Sequence, residues 1–386
     1  MNTTQYWRLT GLSTAHIFVV SLILPILAPY FSELGYSEQW ISWVFALFPF
    51  TMILASLYVG ELSDAIGRSW AIRIALLLSA LAYGLYWQAS TPGIILGRIL
   101  DAISYTAITI LLIAKIQTVL DTPTRAKYTG IFTSCKDFAH IIAPLAGGWL
   151  AEKYFGATFL VAILILFILV FFLRNATQHQ KKPIDIHPIN NLLAFITHKK
   201  LRPLTILGPV TNAAIPIITV ALPLIILQEL EMGYVAIGAA TSAFMAGHIL
   251  QFLIGTLIDK YGTIPFMLLG AASMGSLLFL LPYSIHYYPG LLLLLFGFGV
   301  AAAMWNTAAL SYIAEEGIKE KKQGAIWGAY VSYAKIGDTV GYLLLGIIVS
   351  IGGLGGAFFV FGSILLLGTG ISSYLFIQVM RIDEKK

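Results

Sequence analysis

Three short stretches set ionisable side chains inside otherwise apolar sequence: Arg98 and Asp101 in LGRILDAISY, Lys136, Asp137 and His140 in KDFAHIIAPLAGG, and Lys335 and Asp338 in YAKIGDT. Acids and bases three or four positions apart can pass a proton, close an ion pair or hold a charged ligand. In hydrocarbon each such charge costs roughly 2.5 to 3.5 kcal/mol on insertion scales, so it faces a polar cavity, pairs with a neighbour, or both. If the acids are protonated in one state, Asp101, Asp137 or Asp338 exchanges a proton, and His140, which titrates near neutral pH, joins them. If the lysines are free, Lys136 and Lys335 hold a carboxylate or phosphate. The third possibility is a set of structural pairs, Lys136 with Asp137 or Asp101 and Lys335 with Asp338.

The elements that carry these residues are helices in a membrane. The 386 residues are 58% hydrophobic and 11% charged, with a mean hydropathy of +0.85, far from the composition of a soluble domain. A helical span needs about 20 apolar residues. Twelve runs qualify, near 9–31, 39–60, 70–89, 93–119, 128–151, 156–174, 204–228, 234–257, 264–283, 288–313, 324–350 and 355–380. They do not alternate, which excludes a transmembrane barrel. The first run has no cleavage signature and is expected to be retained. Cys135 is the one cysteine, so an intrachain disulfide is impossible and a cysteine metal site is not expected.

The net charge of +5 does not imply nucleic-acid binding, because the basic residues alternate with the spans. Eighteen of the 23 fall on one side, among them Arg8, Arg68, Arg73, Arg125, Lys127, Lys260 and Arg381, against Lys153 on the other. By the positive-inside rule both termini are cytoplasmic. Lys115, near the cytoplasmic end of span four, is placed to snorkel.

Residues 176–203 form the one long polar interruption, with INNLLAFITHKK either an amphipathic surface helix or a plain loop. They separate six spans in 1–175 from six in 204–386. The halves repeat: Glu33-Leu34-Gly35-Tyr36 matches Glu231-Met232-Gly233-Tyr234, and Gly60-x-Leu62-x-Asp64-x-x-Gly67 returns 195 positions on as Gly255-x-Leu257-x-Asp259-x-x-Gly262. Lys335 is the counterpart of Lys136. Duplicated bundles that rock about a shared site are a transporter's architecture.

At about 100° per residue, Lys136, Asp137, His140, Pro144, Gly147 and Gly148 share one arc of span five, while Phe138, Ile142, Leu145 and Trp149 take the opposite one. Gly328, Ser332 and Tyr342 lie near the face of Lys335. His16 and His248 read as hydrogen-bonded packing residues before ligands, and Pro25 and Pro29 as helix-bending positions.

The stretch Gly60-Glu61-Leu62-Ser63-Asp64-Ala65-Ile66-Gly67-Arg68 resembles the loop motif G-x-L-x-D-x-x-G-R of the major facilitator superfamily, with Ala65 and Ser69 where that family often has basic residues. The resemblance covers essentially the whole chain and is nearest to the 12-span drug:proton antiporter type. It implies an all-α membrane fold of two pseudo-symmetric six-helix bundles. It also implies a gating latch, with Asp64 near Gln323 and Gly324 at the start of span eleven and Arg68 paired with Asp121; Asp259 is the counterpart in the second half. The other reading is that the glycines end a helix and the charges are solvated. An aspartate at a helix N-terminus is physically favoured by the unpaired N–H groups there.

Arg98 resembles the arginine of the family's span-four motif, with Asp101 and Ala102 replacing Gln and Gly, and so implies a part in proton coupling. Ala143-Pro144-Leu145-Ala146-Gly147-Gly148 resembles the antiporter-associated end of span five, although a small-residue face is also ordinary helix packing. In this fold spans five and eleven line the central cavity, and Trp305 and Asn306 of span ten are further lining candidates. The expectation is a secondary transporter in the plasma membrane, monomeric, exchanging protons for a small organic molecule outward. The alternative is an importer or exchanger of an organic anion held by Lys136 and Lys335. Neither a phosphate-binding G-x-x-x-x-G-K-[ST] loop nor an HExxH motif occurs, so no nucleotide, cofactor or metal is expected, and no enzyme activity.

Overall fold

A computed structural model describes residues 3–120, 125–173, 195–319 and 323–383, and all the extended elements among them are helical. In order they are α1 (Thr3–Glu33), α2 (Glu38–Ile66), α3 (Arg68–Gln88), α4 (Thr91–Val119), α5 (Arg125–Lys153) and α6 (Phe155–Phe172). They continue as α7 (Leu204–Gln228), α8 (Tyr234–Tyr261), α9 (Thr263–Ser284) and α10 (Tyr288–Lys319). A last helical run, Gln323–Asp383, is broken at Gly353 (φ 70°, ψ 177°) into α11 (323–352) and α12 (354–383). Only helices satisfy their own backbone polar groups in lipid, which is why apolar runs of this length take no other form. Among the described residues ten helical stretches are long and apolar enough to cross a membrane, the last of them, Ile326–Val379, running through both α11 and α12; α5, the helix that carries Lys136, Asp137 and His140, is not one of them.

The turns between helices follow from local chemistry. Gly67 separates α2 from α3 with φ 90°, and Gly262 separates α8 from α9 with φ 89°. The motif repeated 195 positions apart is thus repeated in backbone, at a conformation that a Cβ opposes. α3 ends on Ala89 in the left-handed region, its N–H donated to the Tyr86 carbonyl. Ser90 then caps α4 by accepting from the Gly93 N–H at 3.3 Å, with a proline in the first helical positions.

Two helices are irregular inside. In α7 a π-helical segment, Ile217–Ala221, follows Pro216, and the Leu222 N–H reaches back to the Ile217 carbonyl. Pro216 and Pro223 lack the N–H donors that a regular ladder would use there. In α8 a 3-10 turn, Gly247–Leu250, interrupts the helix.

The chain divides into two compact units that exchange short segments: Met1–Tyr36, Leu47–Ile186 and Ile226–Ser242 in one, Ser37–Ala46, His187–Ile225 and Ala243–Lys386 in the other. In the first, α1 packs on α5 and α3 on α4 and α6. The start of α8 joins it because Gly238 lies against the Pro144 carbonyl and Gly148 against the Tyr234 carbonyl, where side chains would not fit. In the second, α9 packs on α10 and α7 on the last helical run. The start of α2 belongs there because the Trp43 indole donates to the Leu343 carbonyl at 3.4 Å and covers Gly346. Small residues set α5 and the start of α8 at backbone distance and admit the Trp43 ring against α11, as membrane helices require when lipid is as apolar as their side chains.

Of the linker 176–203, residues 176–194 lie outside the described residues. Its end packs: Phe195 is buried and stacks on Tyr333 of α11, centroids 5.5 Å apart.

Candidate functional site

In the first unit the polar side chains gather around α4 and α5. Arg98 and Asp101, one turn apart on α4, are 1% and 5% exposed. Tyr86 of α3 donates its hydroxyl to Asp101 Oδ2 at 3.3 Å. That reach depends on Gly97, where a Cβ would overlap the Tyr86 ring. The Arg98 guanidinium lies 4.8 Å from the ring centre of Phe48 in α2, a cation over an aromatic face. Phe48 in turn meets Tyr105, and Tyr105 meets His16 of α1 with ring centres 6.0 Å apart.

On α5, Lys136, Asp137 and His140 are half-buried, and Phe138, Ile142, Leu145 and Trp149 are exposed. The helical arc read from the sequence is therefore the arc that the fold turns inward. His140 Nδ1 and the Ser21 hydroxyl of α1 share a hydrogen bond of 2.7 Å. Lys136 Nζ lies 5.2 Å from the Phe132 ring centre. His16 is buried, and its Nε2 has no hydrogen-bond partner among the described residues. Further along α5, Pro144 is buried and Gly147 crosses the Leu22 backbone.

In the second unit Lys335 Nζ donates to Asp338 Oδ2 at 2.5 Å. This is the local pairing that the i,i+3 spacing permits. The same helix is held to α7 where Gly337 and Gly341 lie on the backbones of Pro209 and Ala213. Trp305 is buried with its backbone against Gly270, while Asn306 is exposed. His248 sits in the 3-10 turn, its ring edge-on to Phe244.

Among the expected latch residues, Gly60 and Asp64 lie in the last two turns of α2, Gly67 is the break, and Arg68 opens α3. Asp121 lies outside the described residues. Asp259 is exposed near the end of α8. Lys115 is buried and donates to the Ser69 hydroxyl of α3 at 2.8 Å.

Sequence reasoning missed Tyr86, Phe48, Tyr105 and Ser21, whose apolar or small character gives no signal of polar work. It also missed the π-helical segment of α7, where Thr219 and Tyr342 share a hydrogen bond of 2.7 Å. Pro216 and Pro223 were the available signal for that irregularity.

Among the described residues, long apolar helices, a turn repeated 195 positions on and charges held inside helices describe a membrane protein of duplicated architecture. The sequence profile of the Major Facilitator Superfamily matches residues 9–337 and 204–385. The chain belongs to this superfamily. It is a multi-pass membrane transporter and not an enzyme. It is 26% identical over 371 residues to an MFS-type transporter of Methanocaldococcus jannaschii, covering 93% of this chain and 94% of that one. It is 29% identical over 175 residues to multidrug resistance protein 1 of Bacillus subtilis, covering 44% of this chain and 45% of that one. Among solved structures, the nucleoside transporter NupG superposes with a TM-score of 0.80 at 16% identity, over 97% of this chain and 99% of that one. A D-xylose-proton symporter superposes with a TM-score of 0.73 at 14% identity, over 96% of each chain. At those identities the likeness is one of fold.

Proposed function

We propose that this superfamily member is a proton-coupled exporter of a small organic molecule, monomeric in the plasma membrane, with both termini cytoplasmic. The observation that carries the reading is Asp101: a carboxylate within a membrane helix, 5% exposed, with Oδ2 on the Tyr86 hydroxyl and Oδ1 lacking a hydrogen-bond partner among the described residues. An acid kept at that cost has a use, and in a transporter the use is to take up and release a proton. Arg98 beside it tunes that exchange; Asp137, His140 and Asp338 are the further coupling candidates. The partial likeness to a multidrug resistance protein supports outward transport, and the distribution of Lys and Arg supports the orientation.

Lys136, Lys335, Trp305 and Asn306 are the proposed substrate contacts. Gly60, Asp64, Gly67, Arg68, Asp121, Asp259, Pro144, Gly147 and Gly148 are the proposed gating elements. The pairing of Lys335 with Asp338 weighs against the organic-anion alternative, which needs that lysine for ligand.

The test is flux in proteoliposomes under an imposed pH gradient, scanning lipophilic cations against organic anions. Asp101→Asn is expected to abolish gradient-driven flux while leaving substrate exchange. Gradient-driven flux at the wild-type rate in Asp101→Asn would remove the coupling assignment.

A further inference from the structure

Glu152 has no role in the reading above, yet its carboxylate meets the backbone at the start of α8. The first N–H groups of a helix lack internal partners and carry the positive end of its dipole. Gly233 is the capping residue there, its carbonyl accepting from the Ala236 N–H at 3.1 Å. A capping Ser or Asp would supply an acceptor to the second or third N–H; glycine supplies none. Glu152, from the end of α5, supplies it instead: its Oε2 accepts from the Val235 N–H at 3.3 Å. Gly233 is also what lets the carboxylate in, since a Cβ there would overlap it.

Below this cap the two helices touch by backbone. Gly148 meets the Tyr234 carbonyl and Gly238 the Pro144 carbonyl, and the Ser242 hydroxyl donates to the Ile141 carbonyl at 2.6 Å. Phe155, just past Glu152, stands edge-on to Tyr234 with centroids 5.1 Å apart. All of these residues lie in one compact unit. The position related to Glu152 by the spacing of Lys136 and Lys335 is Ile351, so the second half has no such carboxylate.

We propose that Glu152 is a gating latch: its carboxylate completes the N-terminus of α8 in the conformation seen here and is released when the ends of α5 and α8 part. It is a positioning residue for transport and does not touch substrate. That these ends face outward rests on the orientation proposed above.

The experiment uses the full chain in lipid nanodiscs, with Cys135→Ser and spin labels at Tyr154→Cys and Glu229→Cys. Both labelled positions are exposed and flank the cap. Gly148→Leu, which forces α8 off α5, sets the distance of the parted state. A charge at a helix N-terminus is worth about a five-fold change in an equilibrium, so Glu152→Gln and Gly233→Ala are each expected to raise the parted-to-closed ratio about five-fold, with Glu152→Asp lying between them and the wild type. A wild-type distance distribution in Glu152→Gln overturns the latch. Separately, Glu229→Cys is treated with a membrane-impermeant maleimide in sealed vesicles of known sidedness. Reaction from the cytoplasmic side alone overturns the orientation and leaves the latch standing.

Discussion

The Lys335–Asp338 pair allows an asymmetric prediction. Its two side chains differ in burial, 26% exposed for the lysine and 5% for the aspartate, across 2.5 Å. Removing one member of a buried pair costs about 3 to 5 kcal/mol because the other charge is stranded, whereas exposed pairs are worth at most about 1 kcal/mol. Lys335→Met strands the buried carboxylate, whose Oδ1 already lacks a hydrogen-bond partner among the described residues, so its cost falls near the lower buried figure, about 3 kcal/mol. Asp338→Asn leaves a lysine that is less buried than its partner, 26% against 5% exposed, so its cost falls between the two regimes, about 1.5 kcal/mol. At about 2 °C per kcal/mol for a chain of this size, the apparent Tm drops by about 6 °C and about 3 °C. Replacing both charges, Lys335→Met with Asp338→Leu, removes the stranded group as well as its partner and returns the Tm to near the wild-type value. The assay is thermal unfolding of the purified transporter in one detergent at one scan rate. Equal losses in the two single variants, or a double variant less stable than either, would refute the reasoning.

Two further predictions concern glycines. Gly147→Ala puts a methyl group on the Leu22 carbonyl, whereas Gly130→Ala meets nothing within 4 Å; the first is expected to cost about 1 to 3 kcal/mol by overpacking and the second to be neutral or slightly stabilising, with detergent Tm as the check. Gly67→Ala and Gly262→Ala both force a Cβ into positive φ, and each is expected to lower stability by about 1 to 3 kcal/mol; a Gly262→Ala variant with unchanged Tm would contradict this, because no neighbouring atom is near enough to add or relieve strain there.

Much of this architecture is legible without coordinates because its causes are local. Span lengths follow from hydrocarbon thickness, and the twelve expected runs agree with the helices to within several residues. The repeated Gly-x-Leu-x-Asp-x-x-Gly predicts a repeated break, and Gly67 and Gly262 make it at nearly the same φ. The face of α5 bearing Lys136 and His140 follows from a period of 3.6 residues. Lys335 with Asp338 was among the possible pairings because the partners are one turn apart.

The remaining pairings belong to tertiary structure. Tyr86 on Asp101, Ser21 on His140 and Glu152 on Val235 join positions 15, 119 and 83 residues apart. Helical periodicity says which face of a helix is polar and is silent about which other helix meets it, since in lipid apolar surfaces gain little by choosing one another. The choice is made where backbones fit closely, at Gly97, Gly147, Gly148 and Gly238. Sequence alone determined the spans, their breaks and the inward faces, because each depends on residues within a few turns. Which charge is met by a hydroxyl, a ring, an acid or a helix end was decided only when those glycines set the helices against one another.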